Sequence, residues 1–152
     1  MNVVGLGAAG CAVAESLSQY PQYNVYLLDN GLPRKGNQYP IAHQVSHEAY
    51  DRSEIKLTQF ISRMKKDSKE LLFIMGGGGN ISGASLQVLK QLHLKYKSNI
   101  DVMYIKPDVE MLSMTAKKQD KICYRVLQEY ARSGMFRSIL LVSNPHIEAA
   151  AG

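Results

Sequence analysis

Only two cysteines, Cys11 and Cys123, occur in 152 residues. They lack C-x-x-C spacing, so neither a disulfide framework nor a thiolate metal site is expected. Two reduced thiols in a reducing compartment are the reading. No apolar run approaches the ~20 residues that span a bilayer. The N-terminus carries no basic stretch, and glycines interrupt its apolar residues, so no secretory signal is read. A cytoplasmic protein with no membrane partner is the expectation. Dense basic blocks with interleaved aromatics are missing too. The net charge of +5 is spread thinly. Its two clusters, Arg63–Lys66 and Ala116–Lys121, read as solvated helix faces, and no nucleic-acid partner is indicated. His43, His47, His93 and His146 are unclustered, so no metal-ligand set emerges.

What is present suits one domain over residues 1–152, with 45% apolar residues enough for one core. Asn2–Leu6 is short, apolar and β-branched, as in a buried strand. Gly7–Gly10 reads as a tight turn and Cys11–Gln19 as a helix. Val25–Leu28 is a second strand ending at Asp29. "DNGLPRKGNQYP" is turn chemistry throughout and reads as a long loop. Ala42–Asp51 has no clean period. Ser53–Lys65 reads as a helix with Ile55, Phe60, Ile61 and Met64 near one face. Glu70–Met75 is a third strand, Gly83–His93 a helix and Asn99–Ile105 a fourth strand. Ala116–Arg132 is a helix striped by Ile122, Val126, Leu127 and Tyr130, with Gly134 capping its end. Ser138–Ser143 is a fifth strand. This alternation predicts an α/β fold: a three-layer, Rossmann-like parallel sheet with helices on both faces.

Two glycine-rich turns follow strands one and three, and so fall on the sheet edge where ligands bind. "GLGAAG" fits G-x-G-x-x-G through Gly5, Gly7 and Gly10, after a strand and before a helix. Small residues there let main-chain N–H groups approach a phosphate, and the helix N-terminus adds positive potential. Asp29 follows at the spacing of a ribose-binding carboxylate. The second turn, "GGGGNISGAS", holds Gly76, Gly77, Gly78, Gly79, Asn80, Ser82 and Gly83. Flexible residues before a helix form an anion-binding nest, and Asn80, Ser82 and Ser85 offer hydrogen bonds or caps. It is not a Walker loop, because no Gly-Lys-Ser/Thr follows. The plainer readings are a tight βα turn and a flexible loop.

These segments resemble the FtsZ/tubulin superfamily. "VVGLGAAGCAVAESL" looks like its first nucleotide loop. "FIMGGGGNISGAS" looks like its GGGTGTG signature: Gly77–Gly79 and Gly83 match, and Asn80, Ile81 and Ser82 replace Thr, Gly and Thr. "IKPDVEM" resembles the ribose loop through Lys106, Pro107 and Glu110. "LLVSNPHIE" resembles the strand ending in a guanine-reading Asn, here Asn144. The family's γ-phosphate loop has no match between Pro40 and Ser53.

The resemblance implies a GTP- or GDP-binding domain, with Mg²⁺ carried by the phosphates, from a filament-forming protein that self-associates. Main-chain N–H groups of Gly7, Ala8, Ala9, Gly10 and Cys11 would hold the α/β-phosphates. Those of Gly77, Gly78, Gly79 and Asn80 would hold the β/γ-phosphates. Glu110 would contact ribose and Asn144 would read guanine. In the family, the core helix and the water-activating acidic residues lie beyond Asn144. GTPase activity is therefore expected only in a longer or assembled form, and no catalytic residue is assigned here. Two alternatives stand beside this: an NAD(P)-binding oxidoreductase domain, which explains Asp29 but not "GGGGNISGAS", and a vestigial pocket used only in assembly.

Overall fold

The computed structural model describes residues 1–108 and 112–143. In chain order its elements are β1 (Asn2–Leu6), α1 (Gly7–Leu17), β2 (Asn24–Asp29), β3 (Gln38–Pro40), α2 (His47–Arg52), α3 (Thr58–Ser62), β4 (Leu71–Gly76), α4 (Ser85–Tyr96), β5 (Ile100–Lys106), α5 (Met114–Arg132) and β6 (Ser138–Ser143). A 3-10 turn, Asn80–Ala84, runs directly into α4. The strands form one parallel sheet in the order β3-β2-β1-β4-β5-β6.

This order explains the layering. The chain first steps outward from β1 to β2 and β3, then returns across the sheet to β4, β5 and β6. Right-handed crossovers place the helices of opposite steps on opposite faces. Accordingly α1 packs on Val3, Val25, Leu27 and Ile74 through Ala14. Residues of α2, α3, α4 and α5 pack on the other face against Val4, Leu6, Leu28, Phe73 and Val102. Alternate residues of β1 thus serve different layers, and all five are buried. The architecture is the Rossmann-like three-layer α/β fold expected from the alternation.

Several local expectations need correction. The loop after Asp29 contains β3, a three-residue edge strand hydrogen-bonded to β2. The 42–51 stretch contains α2, whose Ser46 side chain caps the Ala49 N–H. Ser53–Lys65 is not one helix, because only Thr58–Ser62 is helical. The first helix begins at Gly7 rather than Cys11. On α5 the buried residues are Gln119, Asp120, Cys123 and Leu127, while Ile122 is exposed. Gly134, at φ +84°, ends α5 as expected, its N–H donating to the Ala131 carbonyl.

The end of β1 away from the glycine turn is anchored by a buried amide. Asn2 Nδ2 donates to the Tyr96 hydroxyl (2.7 Å) and the Lys65 carbonyl (3.0 Å). Its Oδ1 accepts from Asn24 (3.1 Å). Burial pushes the Tyr96 hydroxyl pKa up, which keeps it protonated. Asn2→Ala strands these partners in a dry site. It is expected to lower unfolding free energy by about 1–3 kcal/mol in urea titrations.

Candidate functional site

Strands β1 and β4 are neighbours, with Leu6 opposite Met75. The turns that leave them therefore lie side by side, at the point where the strand order reverses. This is where open α/β sheets bind ligands. A Cβ on Gly76 would stand 3.1 Å from the Ala9 Cβ, so the two turns touch.

The first turn is shaped by close packing. Gly7 adopts φ +75°, a conformation that side chains resist. A Cβ on Gly5 would come within 2.6 Å of the Gly10 carbonyl oxygen, and one on Gly10 would collide with the Ile74 carbonyl. These glycines let α1 settle onto β1 and β4. No side chain among the described residues caps α1, and its first turn has no acidic residue. Ala8 and Ala9 are exposed at this positive helix end. Cys11 points away, and its single S–H is within reach of the Leu28 (3.4 Å) and Gly5 (3.5 Å) carbonyls. Burial, then the Asp29 charge, pushes its pKa up to about 12, so it stays a thiol. Asp29 Oδ1 accepts from the Asn30 N–H (2.8 Å) at the end of β2.

The second turn is held from below. A side chain on Gly77 would collide with the Tyr104 hydroxyl and the Asp120 carboxylate. Those two are bonded to each other at 2.5 Å, Tyr104 donating. Burial, then this bond, pushes the Tyr104 pKa up. The Gly77 N–H is already given to the Ile105 carbonyl (3.1 Å). Gly77 is thus a packing glycine. The N–H groups of Gly78, Gly79 and Asn80 have no partner among the described residues. Gly78 has φ +85°, and a Cβ there would sit 3.5 Å from Pro107, so the loop after β5 reaches this turn. Around Gly79 no described residue lies within 4 Å of a Cβ.

The polar side chains of the turn are engaged internally. Ser82 Oγ donates to the Gly79 carbonyl (2.6 Å), and Ser85 Oγ to that of Ser82 (2.7 Å). Asn80 Oδ1 accepts from Gln119 (3.3 Å). Behind the turn, a Cβ on Gly83 would collide with the His47 carbonyl. Ile81 lies over the first turn: its Cγ2 is 2.9 Å from where a Gly7 Cβ would be. It narrows the gap between the turns.

The structure thus gathers Gly7, Ala8, Ala9, Gly10, Gly76–Asn80 and Pro107 at one edge. Asp29 stands one strand away, and Cys11 faces the sheet. Glu110 and Asn144 lie outside the described residues. Neither turn carries an acid or base side chain, so what it offers is main-chain grip on an anion. Tyr104, Asp120, Gln119 and His47 support the site and were not anticipated. Asp120 stands three residues before buried Cys123 and seven before Leu127, and an acid on that stripe is the signal that marks it. No group of three His, Cys, Asp or Glu residues is placed to hold a metal among the described residues. No helix among them is long and apolar enough to cross a membrane. No family model matches the chain, and no curated protein matches its sequence.

Gly10→Ala is expected to lower unfolding free energy by about 1–3 kcal/mol through overpacking. Gly79→Ala should stay within about 0.5 kcal/mol in the same urea titration. A second test concerns His47. Its Nε2 is buried without a partner among the described residues. Burial lowers its pKa, against the opposing pull of Glu48 and Asp51. Below about pH 6.5 the unfolded chain takes up this proton more readily than the native one. The His47 contribution is therefore complete above that pH and lost as pH falls through the native pKa. Urea midpoints at pH 7.5 and 5.5 should differ less in His47→Asn than in the parent.

Proposed function

We propose that this chain is a nucleotide-binding domain that grips a polyphosphate between the β1 and β4 turns. Guanine nucleotide is the favoured ligand, and a tubulin/FtsZ-like self-assembling protein is the favoured setting. The observation that carries the reading is the adjacency, across the β1–β4 pairing, of two N–H sets that are uncommitted among the described residues. On one side stands the uncapped N-terminus of α1. On the other stand the N–H groups of Gly78, Gly79 and Asn80, which have no partner among the described residues. Both attract negative charge without any charged side chain.

The roles divide accordingly. The α1 end holds the phosphates nearer the nucleoside, and Gly78–Asn80 hold the distal ones. Pro107 closes the second turn from the β5 side. The two turns supply no carboxylate, so an accompanying Mg²⁺ would be held by phosphate and water. With no base in the turns, hydrolysis needs a carboxylate from elsewhere, and guanine preference rests on the resemblance at Asn144. Ile81 crowds the space over Gly7 and weakens the grip.

A dinucleotide reading has one observation in its favour: the 3-2-1-4-5-6 strand order with Asp29 closing β2. Thermal unfolding with GTP, GDP or NADH separates the readings. GTP and GDP are expected to stabilise the chain by about 2.7 kcal/mol at a hundred times their dissociation constant. Ile81→Gly is expected to tighten binding. A shift with NADH alone establishes the dinucleotide reading. No shift with any nucleotide at millimolar concentration overturns both.

A further inference from the structure

A second concavity lies beside the outer strand β3, two strands from β1. It is a cleft of about 630 Å³ between the chain leaving β3 and the segment joining α2 to α3. Its walls include Pro40, Ile41 and Ala42 on one side and Glu54, Ile55 and Lys56 on the other. None of the residues around the two turns lines it.

The segment on the second wall is held by an unusual device. Gln87 and Gln91 of α4 bond its main chain as a neighbouring strand would. Gln87 Nε2 donates to the carbonyls of Tyr50 (3.1 Å), Asp51 (2.8 Å) and Ser53, and its Oε1 accepts from the Ile55 N–H (3.2 Å). Gln91 Nε2 donates to the Ile55 carbonyl (2.6 Å), and its Oε1 accepts from the Leu57 N–H (2.8 Å). Four helical residues rise about 6 Å, close to the roughly 6.6 Å of two strand residues. Two glutamines one turn apart therefore match the repeat of a ladder.

Pinning one edge of a strand leaves the other open. Ser53, Ile55 and Leu57 face the glutamines, so Glu54 and Lys56 direct their main-chain groups the opposite way. Their N–H groups have no partner among the described residues, while the Lys56 carbonyl accepts from the Tyr39 hydroxyl (3.4 Å). The facing β3 edge is blunted by Pro40, which has no N–H. The open ladder edge is thus that of Glu54–Lys56. Charge at the cleft is net positive: Arg34, stacked 5.0 Å over the Tyr39 ring, and Lys56 outnumber Glu54.

We propose that this cleft binds an extended acidic peptide from another protein, which adds as a strand along Glu54–Lys56 with a carboxylate toward Arg34. Main-chain bonds give the affinity and Arg34 gives the charge preference. The test pans a displayed library of random heptapeptides on the purified chain, then measures the selected peptides by fluorescence anisotropy. Expected are sequences enriched in Asp and Glu, bound at least tenfold more weakly by Arg34→Glu. N-methylation of alternate peptide amides should abolish binding in one phase and spare it in the other. Amide exchange should slow at Glu54 and Lys56. The proposal is overturned if nothing is enriched, if Arg34→Glu binds equally, or if N-methylation has no phase. Protection confined to other residues overturns it as well. So does self-association of the chain alone that Arg34→Glu removes, since the occupant is then a second copy.

Discussion

The contact between α1 and the two central strands sets the geometry of the rest. Gly5 and Gly10 bring helix and sheet backbones closer than any side chain allows. That proximity fixes where α1 begins, and hence where its uncapped N–H groups stand relative to β4. A helix held a few ångströms further out would separate the two turns. The site is a by-product of packing, and its glycines serve the fold first.

The second turn shows the same economy. Four consecutive glycines suggest a loop built entirely for a ligand, yet they divide into separate tasks. Gly76 makes room for Ala9, and Gly77 for Tyr104 and Asp120. Gly78, with its positive φ, and Gly79, with no described residue within 4 Å of a Cβ, are left without such a packing task. The buried tyrosine–aspartate pair beneath gives the turn a rigid floor. Binding there would carry a smaller ordering cost than a free glycine run would impose.

The central strands, both turns and the layer order were legible because they rest on local chemistry: apolar runs, glycines and a strand–helix period. What escaped was decided at a distance. Phe60 and Met64 stand at helical spacing and suggested a helix reaching back to Ser53, yet glutamines more than thirty residues away hold the segment around Ile55 extended. Pro40 and the surrounding turn residues hid β3, which exists because β2 offers an edge. On α5 a polar Asp120 occupies the buried stripe, so apolar counting placed that stripe one step round the helix. Glu110 and Asn144 lie outside the described residues.

The β1–β4 pairing has a kinetic side. Asn2 and Leu71 are partners, yet almost half the chain separates them. During synthesis β1, α1 and β2 emerge long before β4 exists to complete the middle of the sheet. Until then one flank of β1 is an open apolar edge, able to pair with whatever strand is near. Nascent chains stalled before Leu71 would therefore be the stickiest species this protein passes through, and the ones most in need of a chaperone.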